Sequence, residues 1–157
     1  MPETIGVISD THGLLRREAV EALKGCSRII HAGDVGSPDV LNRLRDFAPV
    51  TAVRGNVDTG AWALALPRSK VIELEGHAIY IRHIVDEIDV VPSFESISAV
   101  VYGHSHKPSI EHRGGVLYLN PGSAGPRRFK LPVTVARLSV IDGQPTAQII
   151  ELDVSQP

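Results

Sequence analysis

The sequence predicts an α/β fold in which two sheets pack face to face and helices cover the outside. Near the N-terminus, three short apolar segments alternate with two segments of helical spacing, a pattern typical of βαβ units with parallel strands. Further along, β-prone segments are joined by turn pairs such as Gly114-Gly115 and Asp142-Gly143, which predict antiparallel hairpins. Because 157 residues can bury one hydrophobic core, we expect residues 1–157 to form a single domain.

The first sheet is predicted from three strands and the two helices between them. The strands are expected at Thr4–Ser9, Arg28–His31 and Val50–Val53, which are apolar and rich in β-branched residues. Leu14–Lys24 has apolar residues at helical spacing, and Gly25 is a suitable C-terminal stop. The second helix is expected to begin with Ser37 as N-cap and Pro38 in its first turn, and to end near Phe47.

The remainder of the chain is predicted to be mainly β-structure. Lys70–His83 predicts two strands around a turn at Glu75-Gly76, and a short helix is expected near residues 93–97. Further strands are predicted at Val100–Tyr102, Ser109–Arg113, Val116–Leu119, Val133–Ile141 and Thr146–Leu152. We expect this half to supply mostly antiparallel strands, whereas the first half supplies parallel ones.

Composition and charge argue against several classes of protein. A formal net charge of −2 does not provide the broad basic surface typical of nucleic-acid-binding proteins. The segment Met1–Ile5 does not resemble a signal peptide, and no apolar run approaches the length of a membrane span. Cys26 is the single cysteine, so we expect a buried thiol in a reducing, cytoplasmic compartment. A homo-oligomer is compatible with the sequence.

Seven residues that can bind metal ions occur where predicted strands end. They are Asp10, His12, Asp34, Asn56, His83, His104 and His106. In an α/β sheet, ligands gather beyond the carboxyl ends of the strands, so we expect these side chains to converge. Imidazole together with carboxylate suits manganese, iron, cobalt, nickel or zinc. Since about four or five ligands saturate one ion, seven are better explained by two ions, which one carboxylate can bridge.

Each of these residues also has an ordinary structural explanation when it is taken alone. Asp10 could be an N-cap and His12 a solvated histidine, and Gly33-Asp34 is a common turn pair. Three further histidines receive that explanation, one as a strand or supporting residue and two on hairpin surfaces: His31, His77 and His112. The metal-site hypothesis is favoured because the five candidate segments occur in order, each at a strand end.

These segments resemble the five motifs of the calcineurin-like metallophosphoesterases. They are Asp10-Thr11-His12, Gly33-Asp34, Gly55-Asn56, His83 and Gly103-His104-Ser105-His106. Ser9–Gly13, His31–Asp34 and Asn120–Ser123 are similar to its small single-domain YfcE/MJ0936-type phosphodiesterase branch. The resemblance covers essentially the whole chain and implies a four-layer α/β/β/α sandwich of two mixed sheets with flanking helices.

The resemblance also implies a metal-dependent hydrolase of phosphodiesters, with phosphomonoesters as a further class, that uses a hydroxide bridging two divalent metal ions. Manganese is the first expectation, with iron, nickel, cobalt and zinc as alternatives. By position, the first metal would be bound by Asp10, His12, Asp34 and His106. The second would be bound by Asp34, Asn56, His83 and His104, so that Asp34 is shared. The implied partner is a small phosphate ester, which Asn56 would also contact.

The sequence departs from the family pattern beside two of these positions. Ile84-Val85 follows His83, where the family usually has glycine and often histidine. Val57 occupies the position at which many larger relatives have a histidine that acts as general acid, so Asp58 or a water is the candidate to protonate the leaving group. His104 is a further candidate catalytic residue, because it could contact the substrate as well as its metal. We therefore expect faster hydrolysis of aryl diesters, which have good leaving groups, than of alkyl monoesters.

Four cationic residues are candidates to bind a substrate phosphate. They are Arg54, Arg127, Arg128 and Lys130. Arg127 is the strongest candidate because the loop Asn120–Ser123 leads into it. Solvated surface charge explains all four about as well.

A protein-binding scaffold that resembles the retromer subunit Vps29 is the alternative function on the same fold. Such a role predicts eroded ligand positions or an exposed apolar patch, whereas here all seven positions are filled. The chain has neither a G-x-G-x-x-G nor a Walker A loop, which argues against a nucleotide-binding regulator. The net charge and the short chain argue against a DNA nuclease, which would usually carry a basic groove or further domains.

Overall fold

The computed structural model describes residues 3–89, 96–128 and 130–154, which form two five-stranded sheets. With strands numbered in chain order, the first sheet has the spatial order β10 (Gln144–Glu151), β9 (Thr134–Ile141), β1 (Thr4–Ile8), β2 (Arg28–His31) and β3 (Val50–Ala52). The second sheet has the order β4 (Ser69–Leu74), β5 (His77–Arg82), β6 (Ile97–Val101), β8 (Val116–Asn120) and β7 (Ser109–Arg113). The predicted α/β sandwich of two mixed sheets is confirmed.

Parallel strands form the centre of the first sheet. β1 pairs with β2 and β2 with β3 in parallel, as the βαβ pattern predicts. Helix α1 (Arg17–Leu23) connects β1 to β2, and helix α2 (Pro38–Arg45), capped by Ser37 as predicted, connects β2 to β3. α1 begins later than predicted because the chain first turns, with the Leu14 N–H donating to the carbonyl of Thr11 at 2.9 Å. The carboxyl ends of β1, β2 and β3 therefore share one edge of the sheet.

Antiparallel pairing dominates the second half of the chain, as predicted, but two strand pairs of the second sheet differ. β4–β5, β7–β8 and β9–β10 are antiparallel, whereas β5 pairs with β6 and β6 with β8 in parallel. The difference arises because β7 and β8 form a hairpin whose second strand, β8, lies next to β6. β9 and β10 instead join the first sheet, where β9 pairs antiparallel with β1.

Short helical segments contribute to the outer layers. α3 (Ala61–Leu64) is not predicted from the sequence, because four residues are too few to show helical periodicity. A 3₁₀ helix at Val85–Glu87 follows β5, and Val85 and Ile88 pack against the apolar cluster on the outer face of the second sheet. The helix predicted near residues 93–97 falls largely on residues 90–95, which lie outside the described residues, and Ile97 begins β6.

Alternation along the strands places one apolar face of each sheet against the other. In β1, Ile5 and Val7 belong to the cluster between the sheets, whereas Ile8 belongs to the cluster under α1 and α2. Burial of each such side chain contributes about 1.5–3 kcal/mol, so the sheet interface holds the strand ends in place. Cys26 is buried, as predicted. Among the described residues no helix has the length and hydropathy of a membrane span, and the cytoplasmic location stays a prediction.

Candidate metal centre

The structure brings all seven predicted site residues together at one edge of the two sheets. They lie in the segments that directly follow β1, β2, β3, β5 and β6: Asp10, His12, Asp34, Asn56, His83, His104 and His106. Six of them form two groups, in each of which the ligand atoms lie within 4.8 Å of one another: Asp10, His12 and His106, and Asp34, His83 and His104. Asn56 joins the second group, because its Oδ1 lies 3.1 Å from Nδ1 of His104.

The first group aims two imidazoles and one carboxylate oxygen at a common point. Asp10 Oδ1 lies 3.4 Å from Nε2 of His106 and 3.8 Å from Nε2 of His12. The two Nε2 atoms are 3.3 Å apart. Asp10 is fully buried and His106 is buried, so these donors are shielded from bulk water.

In the second group, a backbone hydrogen bond fixes the tautomer of His83. Its Nδ1 lies 2.8 Å from the carbonyl oxygen of Ala32, which can only accept, so Nδ1 carries the proton. Nε2 then faces the carboxylates, 3.1 Å from Asp34 Oδ2. A histidine that donates through one ring nitrogen is the usual arrangement for ligating a metal through the other.

Carboxylate oxygens lie between the two groups and connect them. Asp34 Oδ2 is 3.8 Å from Nε2 of His12, a member of the first group. Asp10 Oδ1 is 3.7 Å from Nε2 of His83, a member of the second. The two groups are therefore contiguous, and a carboxylate can serve both, as the family resemblance implies for Asp34.

Two buried polar atoms show that the donor set fits a metal. Asp10 Oδ1 and His83 Nε2 are buried, and neither makes a hydrogen bond of good geometry among the described residues, although Asp34 Oδ2 lies 3.1 Å from His83 Nε2. Leaving such an atom unpaired costs about 1–3 kcal/mol, and more when the group is charged. The other Asp10 oxygen is satisfied, since Oδ2 accepts hydrogen bonds from Ser9 Oγ at 2.7 Å and from the His104 N–H at 3.1 Å. Asp10 Oδ1 is thus held ready for a cation.

The backbone around the site is strained. Five of the candidate ligands have positive φ angles, between 47° and 75°: Asp10, His12, Asp34, His104 and His106. Such residues cost on the order of 1–3 kcal/mol each and cluster at functional sites. Two glycines beside the site have no room for a side chain. A Cβ on Gly103 would lie 2.7 Å from Asp10 Oδ2, and one on Gly55 would overlap the backbone nitrogen of Asp34.

The pKa values of two candidate ligands, His12 and His83, are shifted in opposite directions. Burial lowers the pKa of His12 and the Arg128 charge lowers it further, whereas the carboxylates of Asp34 and Asp10 raise it. The net shift is downward, which favours the neutral imidazole that binds metals. For His83, burial lowers the pKa, but the carboxylates of Asp34 and Asp10 outweigh it and the net shift is upward. A proton on His83 Nε2 therefore competes with a metal for that atom.

His31 supports the site from within β2. Its Nδ1 accepts the Gly33 N–H at 3.1 Å, so its proton resides on Nε2, which donates to Thr11 Oγ1 at 3.0 Å. The Thr11 hydroxyl in turn donates a hydrogen bond to the carbonyl of Val35 at 2.8 Å. Burial lowers the pKa of His31 to about 4, so the ring is neutral. This chain of contacts connects the loop after β1 to the loop after β2.

Asp58 makes contacts that its proposed role as a proton donor does not explain. Its Oδ1 accepts the Gly36 N–H at 2.9 Å, and its Oδ2 accepts the N–H groups of Gly55 at 2.9 Å and Val35 at 3.2 Å. Asp58 is buried, and both oxygens are occupied by backbone donors. It therefore connects the loop after β2 to the loop after β3, and this contact pattern favours a positioning role.

The surroundings of Arg127 differ from those expected of a residue that binds the substrate phosphate. Arg127 is exposed, its Nε donates to the carbonyl of Leu131 at 3.3 Å, and it lines a pocket with residues 151–154 at the end of β10. That pocket contains none of the seven site residues, so these contacts do not support a substrate-binding role for Arg127. Arg128 acts on the site through its charge, which helps to lower the pKa of His12. No local signal distinguishes the two neighbouring arginines in the sequence.

The sequence matches a known family along most of its length. Residues 4–143 match the Calcineurin-like phosphoesterase superfamily domain. The fold and the paired ligand groups at its strand ends define a metallophosphoesterase, which is a hydrolase. The chain belongs to the calcineurin-like phosphoesterase superfamily, as the resemblance of its five motifs implies.

Two relatives are similar over most of their own length. A protein named probable metallophosphoesterase from Methanothermobacter thermautotrophicus is 36% identical over 153 residues, covering 89% of this chain and 87% of that protein. The phosphodiesterase YfcE of Escherichia coli K12 is 29% identical over 140 residues, covering 73% of this chain and 76% of that protein.

Solved structures show the same fold. A Streptococcus pneumoniae TIGR4 protein described as a predicted phosphoesterase has a TM-score of 0.77 at 28% identity, covering 99% of this chain and 95% of that chain. Wild-type Vps29 from Entamoeba histolytica, complexed with Zn²⁺, has a TM-score of 0.71 at 20% identity, covering 96% of this chain and 99% of that chain. At 20% identity, this second likeness shows the fold alone.

Proposed function

We propose that the chain hydrolyses phosphodiesters with the help of two divalent transition-metal ions. We also propose that residues 1–157 form a single domain. The observation that carries the proposal is the pair of connected ligand groups whose carboxylates lie between two sets of histidines. Asp10 Oδ1 and His83 Nε2, both buried without a hydrogen bond of good geometry among the described residues, support it. The phosphodiesterase name of a relative at 29% identity supports the diester class.

The proposed ligands divide between the two ions. The first ion would be held by Asp10, His12, Asp34 and His106, and the second by Asp34, Asn56, His83 and His104. Nitrogen and carboxylate donors without a thiolate suit manganese, iron, cobalt, nickel or zinc, of which manganese is our first candidate. When bound, two such ions supply Lewis acidity and lower the pKa of water enough to provide a nucleophile near neutral pH.

Residues at the rim of the site would orient the substrate. His104 and Asn56 are exposed, whereas most of the other ligands are buried. Because Asn56 Oδ1 lies against His104 Nδ1, its amide N–H groups remain to donate to a phosphoryl oxygen. The N–H of Val57 donates to Asp34 Oδ1 at 3.0 Å, which holds the shared carboxylate in place.

The leaving group would receive little help from neighbouring side chains. Val57 is 45% exposed at the rim and its side chain has no acidic proton, and both Asp58 oxygens accept backbone N–H groups. His104 remains as a candidate proton donor. We therefore propose that diesters with good leaving groups are hydrolysed faster than alkyl monoesters.

Activity of metal-reconstituted protein tests the proposal. The protein is stripped with EDTA, reloaded with Mn²⁺, and assayed on bis(p-nitrophenyl) phosphate, p-nitrophenyl phosphate and an alkyl phosphate. We expect turnover that is fastest for the aryl diester and is abolished in Asp34→Asn, whereas His112→Asn, which changes an exposed histidine of β7, retains it. An inert wild-type protein with every candidate metal would overturn the proposal.

A protein-binding scaffold is the second candidate function. The Vps29 likeness shows that the same fold occurs in such a protein, and that Vps29 was obtained with Zn²⁺. Metal content alone therefore does not separate the two functions, and turnover of a diester does. The filled set of ligand positions favours the enzyme.

A further inference from the structure

A cationic pocket lies beside the proposed position of the second metal. It has a volume of about 70 Å³, and its lining includes Asn56 and His83. Its charge is set by four further lining side chains: Arg54, Arg68, Arg82 and Glu87. Three guanidinium groups against one carboxylate make the pocket positive, although the chain as a whole carries a formal net charge of −2.

The three arginines converge because the backbone brings three strand ends together. The N–H of Arg54, just after β3, donates to the carbonyl of Pro67 at 2.8 Å, which places Arg54 beside the residue that precedes Arg68. Ser69, which follows Arg68, pairs with Arg82 in the β4–β5 ladder. An arginine from the first sheet thereby meets two arginines from the second, next to two candidate ligands.

Few carboxylates oppose these arginines within the described part of the chain. Arg54 Nε is buried and has no hydrogen-bond partner among the described residues. Arg82 Nη1 lies 3.6 Å from Asp89 Oδ2, but the Asp89 side chain is 68% exposed, and such surface pairs contribute little. Gathering like charges costs Coulomb energy, which a bound anion would offset. Guanidinium groups bind carboxylate and phosphate oxygens through two parallel hydrogen bonds.

We infer that Arg54, Arg68 and Arg82 form a subsite for a second anionic group of the substrate, adjacent to the phosphodiester that is cleaved. The inference rests on the proposed phosphodiesterase function and narrows its substrate class. The substrate is then a diester whose second ester group carries a carboxylate or a phosphate. A pocket of about 70 Å³ has room for such a compact group.

Three matched substrates test the subsite in the manganese-loaded protein. All are p-nitrophenyl diesters, and their second ester group is butyl, 3-carboxypropyl or 3-phosphonopropyl. We expect the better of the two anionic diesters to exceed the butyl diester in kcat/KM by about tenfold or more, mainly through a lower KM. The carboxylate and phosphonate compounds show which anion the subsite prefers. Equal kcat/KM for all three diesters would overturn the inference.

Variants that remove either a positive or a negative charge from the pocket provide the second test. Arg68→Gln and Arg54→Gln should lower the preference for the anionic diester to about threefold or less, whereas Glu87→Gln should raise it. Arg68 and Glu87 are exposed, so their variants are expected to fold. Arg43→Gln, on the exposed face of α2, is the matched control and should leave the preference unchanged. A preference that does not respond to the pocket variants would contradict the inference.

Anion binding without catalysis distinguishes failure of the subsite from failure of the proposed function. Sulfate is titrated into EDTA-stripped ¹⁵N-labelled protein while the arginine Nε–H signals are followed by NMR. The Nε–H signals of Arg54, Arg68 and Arg82, assigned with the variants, should shift with a saturable dependence that Arg68→Gln weakens. If no diester is hydrolysed, the proposed function fails, and this titration alone decides the subsite: unshifted signals would refute it.

Discussion

His83 Nε2 lies 3.1 Å from Asp34 Oδ2, and the two residues come from different sheets. Asp34 follows β2 of the first sheet, whereas His83 follows β5 of the second. The same division holds for the other candidate ligands, because His104 and His106 follow β6 of the second sheet, while Asp10, His12 and Asn56 follow strands of the first sheet. A metal bound here would therefore connect the two sheets at the carboxyl ends of their strands. Metal binding should then raise the free energy of unfolding.

Metal binding should raise the thermal stability of the protein. A ligand at 100 times its Kd that binds only the folded chain stabilises it by about 2.7 kcal/mol, which corresponds to roughly 5–10 °C in Tm for a chain of this size. We expect such a rise when Mn²⁺ is added to EDTA-stripped wild-type protein, measured by differential scanning calorimetry. Asp34→Asn should lose most of the rise, because the Asp34 carboxylate lies between the two ligand groups.

A matched variant controls for the general effect of divalent cations on the fold. His112→Asn changes an exposed histidine on β7, so its Tm should rise with Mn²⁺ as in the wild type. An equal rise in Asp34→Asn and the wild type would show that Mn²⁺ binds elsewhere.

The two histidines after β6 should affect different metal ions. His106 groups with Asp10 and His12, whereas His104 groups with Asp34 and His83. We therefore expect His106→Ala and His104→Ala each to lower the metal content from about two ions per chain to about one. His106 is buried and His104 is exposed, so the loss of His106 should weaken its ion more strongly.

Metal analysis of the purified variants, followed by competition with a chelator, measures both effects. The double variant serves as the reference, because it should lose nearly all bound metal if the two histidines hold separate ions. A double variant that retains as much metal as either single variant would place both histidines on one ion.

Asp58 should matter for stability more than for proton transfer. Its two oxygens accept three backbone N–H groups in a buried position, and hydrogen bonds to charged acceptors contribute about 1.5–3 kcal/mol each. In Asp58→Asn, one oxygen becomes an N–H₂ group that faces backbone donors. We expect a loss of about 2–4 kcal/mol in the free energy of unfolding, measured by urea denaturation of the metal-free protein.

The leaving-group dependence separates this role from general acid catalysis. If Asp58 only positions the two loops, the slope of log kcat against the pKa of the leaving phenol should be the same in Asp58→Asn and the wild type. A steeper slope in the variant would indicate that Asp58 donates the proton.

The strand ends, and the convergence of the seven site residues there, can be predicted from the sequence, because an apolar β-branched segment and the turn that ends it are visible in consecutive residues. Which strands pair with one another depends on contacts between distant segments, and no local pattern shows it. The parallel order of β5, β6 and β8, and the difference between Arg127 and Arg128, depend on which segments meet in space. Arg68 and Arg82 are absent from the predicted site for the same reason: their proximity to Arg54 is set by the β4–β5 ladder and by one backbone hydrogen bond.

His31 should make the stability of the metal-free protein fall as the pH decreases from 6.5 toward 4. Its pKa is lowered to about 4 in the folded chain, mainly by burial, from an ordinary value of 6.5. Between these values the unfolded chain binds a proton at His31 that the folded chain does not, so this contribution is fully present above pH 6.5 and is lost as the pH falls. A fall of about 2 kcal/mol is expected between pH 7.5 and pH 5.

The variant His31→Asn isolates this effect from the titration of the other histidines. It removes the ring, so it should be less stable than the wild type at pH 7.5, where the contacts to Gly33 and Thr11 are intact. The difference in unfolding free energy between the two proteins should then narrow by about 2 kcal/mol at pH 5, because only the wild type loses the His31 contribution. Urea denaturation of both proteins in EDTA at the two pH values measures the difference. A gap that stays constant would contradict the prediction, because it would mean that folding does not lower the pKa of His31.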